Sequence, residues 1–314
     1  EDWGNFGIVK MVDFSSYVER FKTNVPDTYL TPRGVVFSEG FAMSAAFLHK
    51  EVDLIIESGV AYGGSTEIFA QMCPDIPLLG FDTFTYYEES YEHASKRLAP
   101  YPNVTLMKGN VFDKLPAILD NLPSSIKRIG VFIDGPKNDG ALILSHQLYQ
   151  DPRCQIVGVH DIKRDSAFGP LFRTVWPQTV FWADKDQPYA EYRHLIDNYK
   201  LEESKKNYDP SPSSLDRTEG MGYIQNIMAE HPEGLGLALM DFEEMRGLNT
   251  TPTQIWWEEY EALDKDGNVA TAEVVRIVKE VQVGKRIYQL PERKIQSIES
   301  LRQERATALG ASDE

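Results

Sequence analysis

The chain has 314 residues, 42% of them hydrophobic and 25% charged, with a net charge of −16 and a pI near 4.9. That apolar content fills the core of one large α/β domain with an extension, or of two domains. The acidic surface excludes nucleic acid and anionic membrane as partners but leaves room for a small anion in a local pocket. Cys73 and Cys154 belong to no Cys-x-x-Cys pair and are too few for a disulfide framework, so both are expected reduced, in a cytoplasmic protein. No apolar run reaches the ~18 residues of a membrane span. The Glu-Asp-Trp start has no basic n-region, so no signal peptide is expected.

Residues 1–50 read as a mainly helical cap: Asp13-Phe14-Ser15-Ser16 is a helix start, Thr31-Pro32 a break, and 38–48 an apolar helix. Strands and helices then alternate. Strands are expected at 52–57, 77–82, 104–108, 129–134 and 155–160, with helices at 65–72, 87–98, 111–122 and 139–149 between them. Near-continuous apolar strands separated by helices imply a doubly wound, mostly parallel sheet covered on both faces, with ligands at the carboxyl ends of the strands. Residues 179–182 offer a sixth strand, and 222–227 and 235–239 compete for a seventh. Residues 207–214 read as a loop. The divisions expected are 1–50, a sheet domain at 51–235, and a mostly helical extension at 236–314 that offers a surface for self-association. In that extension Ile295, Ile298 and Leu301 form one helical stripe, and Trp256, Trp257 and Tyr260 read as helix-packing residues.

The first strand ends in Glu57-Ser58-Gly59 and turns through Gly63-Gly64 into a helix. Glycine permits the tight turn and lets a ligand approach the backbone, and the helix start presents free N–H groups. Asp82, at the end of the second strand, lies 23 residues past Gly59, where a ribose-binding acid is expected. The spacing Gly59-x-x-x-Gly63-Gly64 departs from the dinucleotide Gly-x-Gly-x-x-Gly, and no Gly-Lys-Ser/Thr follows, so this is not a P-loop. The run Glu57-Ser58-Gly59-Val60-Ala61-Tyr62-Gly63 resembles the first motif of class I S-adenosylmethionine-dependent methyltransferases, acidic-x-Gly-x-x-x-Gly. The resemblance spans roughly residues 35–230. It implies S-adenosylmethionine as cofactor, with its methionine part at the turn (Glu57, Gly59, Tyr62, Gly63, Ser65), its ribose at Asp82, its adenine near Asn110, and Asp134 at the same pocket.

Strand four ends in Asp134, with Lys137 three residues on, and strand five in His160-Asp161. In a parallel sheet these ends share one crevice, and Asp134, His160 and Asp161 could converge on a divalent cation. The pattern resembles the metal-dependent O-methyltransferases of catechol, caffeoyl-CoA and macrocin types. That resemblance implies magnesium or manganese at Asp134, His160 and Asp161, and Lys137 as general base. Pro136 and His160 depart from the sugar-modifying relatives, and His160 is a second base candidate with no metal at all. The residues also allow plain structural roles: Asp134 as a helix cap, Asp161 as a turn, Lys137 as a solvated charge and His160 as a core residue. The expected function is methyl transfer to a hydroxyl of a small molecule or sugar. A metal-dependent hydroxylase of the cephalosporin type and a non-catalytic binding member stay open. Asp264-Lys265-Asp266-Gly267-Asn268 lacks a ligand in either EF-hand register and reads as an Asp-Gly turn.

Overall fold

A computed structural model describes residues 13–25, 35–85, 89–164, 166, 168–176, 178–182, 190–206 and 235–248, together with the strand backbone of 255–263, 269–277, 280–283 and 286–289. The chain divides into two compact units, Glu1–Thr250 and Thr251–Glu314.

In the first unit a 3-10 turn, Phe14–Tyr17, leads into α1 (Val18–Asn24) and α2 (Phe37–His49). Then β1 (Leu54–Ser58), α3 (Gly64–Met72), β2 (Leu78–Asp82), α4 (Ser90–Leu98), β3 (Val104–Lys108), α5 (Val111–Asn121), β4 (Ile129–Ile133), α6 (Asn138–Tyr149) and β5 (Cys154–His160) alternate as the apolar pattern requires. They are followed by α7 (Gly169–Val175), β6 (Val180–Phe181), α8 (Ala190–Lys206), β7 (Leu237–Asp241) and α9 (Phe242–Gly247). The sheet order is β3-β2-β1-β4-β5-β7-β6. β1 to β5 are parallel, and β7 runs antiparallel to both β5 and β6. β1, β4 and β5 are buried along their whole length, which explains their unbroken apolar sequence. The chain winds outward from β1 through β2 to β3, then returns to β4 on the other side. The crevice between the carboxyl ends of β1 and β4 is therefore the switch point at which such sheets bind ligands.

Three expectations change here. The described residues of the expected 1–50 cap share the core of the sheet, and α2 lies directly on it. A Cβ at Gly130 would sit 2.3 Å from Phe47 Cδ1, so the bare strand is what lets the α2 ring reach the core. Phe47 then meets Phe69 edge-on at 5.4 Å, and Phe69 meets Phe132 at 5.2 Å, in a core shared by α1, α2, α3 and α8. The sheet unit also runs past residue 235. β7 forms from the 235–239 competitor; residues 222–227 lie outside the described residues. Lys50 bridges Asp241 at 2.5 Å and Glu243 at 3.1 Å, and Arg128 pairs with Glu243, so β7 and α9 are tied to the first strands. Asp241 also caps α9 by accepting from Glu244 N at 2.9 Å.

The third change is in the second unit, whose described residues are strands rather than the helices expected. β8 (Ile255–Leu263) pairs antiparallel with β9 (Val269–Ile277), and β10 (Glu280–Val283) with β11 (Arg286–Gln289). The physical reason is local: two runs rich in β-branched and aromatic residues flank a short Asp-Gly segment, which is a hairpin signal. Trp256, Trp257 and Tyr260 thus lie on a strand. Residues 264–268 and the stripe at 295, 298 and 301 lie outside the described residues, as does the loop at 207–214.

Cys73 and Cys154 are free and buried, and burial pushes both thiols up to about 12, in keeping with inert, reduced side chains. Among the described residues no helix is long and apolar enough to cross a membrane.

Candidate functional site

The β1 turn and the β4 end form one floor. Gly59 takes φ +95, and a Cβ there would lie 2.5 Å from Gly135 N and 2.7 Å from the Asp134 carbonyl carbon. Backbone packs on backbone, so only glycine fits. Asp134 N and Gly135 N both donate to Ser58 O, at 2.7 and 2.8 Å, and Ser58 Oγ donates to Gly135 O. Gly63 (φ +80) is the N-cap of α3 and makes no side-chain cap hydrogen bond. Of the five described non-glycine residues with positive φ, three lie at these ends: Ala61 in the β1 turn, Phe84 after β2 and Asp161 after β5. Such strain tends to collect at functional sites.

Glu57 is completely buried. Its Oε1 accepts from Ser65 Oγ, while Oε2 meets no hydrogen-bond partner. Burial pushes its carboxyl up to about 8, against the pull of the neighbouring Ser65 and Thr66 hydroxyls. A buried acid with an unused oxygen under a glycine turn is a seat for a cationic or hydrogen-bonding ligand group. Asp82 shapes the rim: Oδ2 accepts from Ala61 N and Oδ1 from Phe84 N, both at 2.7 Å. Each oxygen keeps a second lone pair for a hydroxyl donor. Phe84 itself is buried with Val60, Ala94 and Leu98 beneath the turn and stacks edge-on with Tyr91 at 5.0 Å. Tyr62 meets His93 edge-on at 5.7 Å. Asn110 follows β3 and caps α5, accepting from Phe112 N at 3.0 Å. Glu57, Gly59, Gly63, Ser65, Asp82 and Asp134 therefore converge at the switch point, and Asn110 stands at the end of the neighbouring strand.

Next to this floor lies an ionic cluster. His160 is buried, with Nδ1 at 2.8 Å from Asp134 Oδ1 and Nε2 at 2.9 Å from Glu39 Oε2. Burial by itself draws its pKa down, but the two carboxylates outweigh burial and hold it well above the usual histidine value. Each ring nitrogen of His160 thus faces a carboxylate oxygen, an arrangement that favours the imidazolium. Lys137 Nζ pairs with Asp134 Oδ1 and, at 2.6 Å, with Asp161 Oδ2. Burial opposes its charge, yet Asp134 and Asp161 raise its pKa above the ordinary lysine value. Asp134 is held low: burial alone would raise it, and His160 and Lys137 overcome that. The neighbouring carboxylates therefore favour the charged form of both base candidates read from the sequence, Lys137 and His160.

Glu39 was not legible as a site residue. It is the only charge in the apolar stretch 38–48, and it is fully inserted under the site. Its Oε1 accepts from Gly236 N at 2.8 Å, and Oε2 accepts from Val36 N at 3.2 Å as well as from His160. Next to it Asp197 of α8 accepts from Ser38 N and Oγ at 2.8 and 2.7 Å, with burial lifting its carboxyl to about 7.

Asp134, His160 and Asp161 bring one ligand atom each within 4.8 Å of one another, so the expected metal set does assemble. The donor chemistry does not fit a divalent cation. A histidine ligates through a lone pair, and both His160 nitrogens are already engaged by carboxylate oxygens, Nδ1 by Asp134 at 2.8 Å and Nε2 by Glu39 at 2.9 Å. The space between the Asp134 and Asp161 carboxylates is taken by the Lys137 ammonium.

The strand order with its antiparallel β7, flanking helices and a glycine turn at the β1–β4 switch point is the expected doubly wound, Rossmann-like architecture. No protein-family model matches the sequence, and no curated protein matches it. Solved structures similar in fold include a Podospora anserina methyltransferase bound to S-adenosylhomocysteine, at 14% identity and TM-score 0.38, covering 73% of this chain and 86% of that one. An O-methyltransferase of Bacillus cereus in complex with S-adenosylhomocysteine matches at 14% identity and TM-score 0.34, over 88% and 94% of the two chains. An O-methyltransferase of Streptomyces achromogenes involved in tomaymycin synthesis, in complex with S-adenosylmethionine, matches at 16% identity and TM-score 0.35, over 87% and 93%.

Proposed function

We propose that this protein is an S-adenosylmethionine-dependent methyltransferase acting on a hydroxyl group of a small molecule. The observation that carries the reading is Glu57, a buried carboxyl with an unused oxygen directly beneath the glycine turn and one strand from Asp82. The ammonium of the methionine moiety suits Glu57, free amides at the start of α3 suit its carboxylate, and Asp82 suits the ribose hydroxyls. When bound, S-adenosylmethionine supplies a methyl group on a sulfonium, open to in-line displacement by an acceptor oxygen.

The chain's own residues would prepare that oxygen. Lys137 uses two of its three N–H donors on Asp134 and Asp161, which leaves one for the acceptor hydroxyl. An ammonium in contact with that oxygen lowers its pKa. Asp161, with a side chain 46% exposed against 15% for Asp134, is the carboxylate within reach to accept the hydroxyl proton. His160, clamped by Glu39, holds Asp134 in place as a positioning residue. No step passes through a metal ion.

The test is transfer of tritiated methyl from S-adenosylmethionine to a panel of phenolic, catecholic and sugar hydroxyl acceptors. Asp161→Asn keeps the left-handed backbone and is expected to cut the rate by about 100-fold or more with cofactor affinity retained. Transfer to an amine or thiol but to no hydroxyl overturns the acceptor class. Unchanged turnover in Asp161→Asn removes Asp161 from the reaction.

A further inference from the structure

We infer that Lys137 is a built-in replacement for a divalent cation, so that this site works with a covalently attached positive charge and excludes the metal its carboxylates would otherwise bind. Asp134 and Asp161 come from the ends of adjacent parallel strands, β4 and β5, and face one crevice. Two carboxylates so placed repel each other and need a cation between them. The Lys137 ammonium meets both: Asp134 Oδ1, and Asp161 Oδ2 at 2.6 Å. The remaining side of Asp134 Oδ1 is filled by His160 Nδ1 at 2.8 Å, and Nδ1 also lies 3.4 Å from Asp161 Oδ1. The carboxylate pair thus meets two basic groups of the chain itself, the Lys137 ammonium and the His160 ring, the latter shared with Glu39.

The placement of Lys137 follows from local structure. It stands just before α6, in extended conformation, four residues after the end of β4 and three after Asp134. That short tether brings its side chain back over Asp134 as an i,i+3 pair and across to β5. A hydrated Mg²⁺ or Mn²⁺, which needs an octahedral shell of about six oxygens, would have to evict the ammonium and rebuild its surroundings. The functional consequence is that the charge meeting the acceptor oxygen is always present and independent of metal supply.

Removing the lysine side chain should therefore create a metal site where the wild type has none. The probe is Mn²⁺ alone, followed by electron paramagnetic resonance on cofactor-free protein, so the outcome does not depend on the methyl-transfer reading. S-adenosylhomocysteine titration of the same samples reports on that reading separately. Wild type is expected to leave Mn²⁺ free in solution. Lys137→Ala is expected to bind one Mn²⁺ at least about tenfold more tightly, and Lys137→Ala/Asp161→Asn to lose it. Lys137→Met, which retains the apolar stem, serves as a second variant if the alanine protein is poorly folded. Stoichiometric Mn²⁺ binding by the wild type, abolished in Asp134→Asn, overturns the inference. Folded Lys137 variants that remain as indifferent to Mn²⁺ as the wild type overturn it equally.

Discussion

Replacing His160 with alanine is expected to destabilise the first unit by about 3 to 5 kcal/mol, the cost of leaving buried charges without their partner. The imidazolium is the shared counter-ion of Glu39, which is 1% exposed, and of Asp134. Glu39 would keep the Gly236 and Val36 amides but lose its only cation among the described residues. Asp134 would keep Lys137. The loss should thus appear mainly where α2 meets β5 and β7. His160→Gln, which donates to one side only, should fall between the two. Urea unfolding followed by tryptophan fluorescence checks this, since Trp176 and Trp182 are buried in this unit. A His160→Ala protein within about 1 kcal/mol of wild type would contradict the buried pair.

The pH dependence carries the same sign. The folded pKa of His160 is raised, so its stabilisation is complete below the unfolded value near 6.5 and is lost as pH rises through the folded value. Glu57 and Asp197, lifted to about 8 and about 7, also favour the protonated folded state. Their contribution declines as pH climbs from the ordinary carboxylate range to those values. Asp134, Asp151 and Glu243 are held low and act in the opposite direction, losing stabilisation only in acid. Stability should therefore decline from neutral toward alkaline pH.

The second large effect is proton-coupled ligand binding at Glu57. With its carboxyl at about 8, Glu57 is mostly protonated at neutral pH in the free protein. A ligand ammonium seated against Oε2 favours the carboxylate and drives the proton off. Binding of S-adenosylhomocysteine should release close to one proton near pH 7. It should also tighten as pH rises toward 8, and the release should fade well above that value. Calorimetry in buffers of different ionisation enthalpy measures the release directly. Glu57→Gln should bind at least about tenfold more weakly, the loss of one charge-assisted hydrogen bond, with no buffer dependence. Equal affinity in the glutamine variant, or no proton release by the wild type near pH 7, would remove Glu57 from the pocket.

Much of this site is legible in the sequence because a parallel sheet obeys a placement rule. Once five apolar strands alternate with helices, Glu57, Asp82, Asp134 and His160-Asp161 must gather at one edge. The charge states are a different matter. Lys137 as a base and His160 as a ligand are reasonable for isolated side chains, but protonation depends on what lies opposite in space. The deciding partner of His160 is Glu39, 121 residues earlier, on a helix whose apolar sequence reads as core. Asp197 is as remote from Ser38, separated from it by 159 residues. In the second unit the pattern carried strand information that the terminal Ile295–Leu301 stripe obscured: residues 255–263 and 269–277 form a hairpin because aromatic and β-branched residues flank an Asp-Gly segment.

The central claim is that the Gly59–Gly64 turn and Asp82 hold S-adenosylmethionine. It is tested most directly by isothermal titration of the wild-type protein with S-adenosylmethionine, beside Asp82→Ala. One site per chain is expected in the wild type, with binding weakened at least about tenfold when the Asp82 carboxylate is removed. A wild-type protein that takes up neither S-adenosylmethionine nor S-adenosylhomocysteine would contradict it.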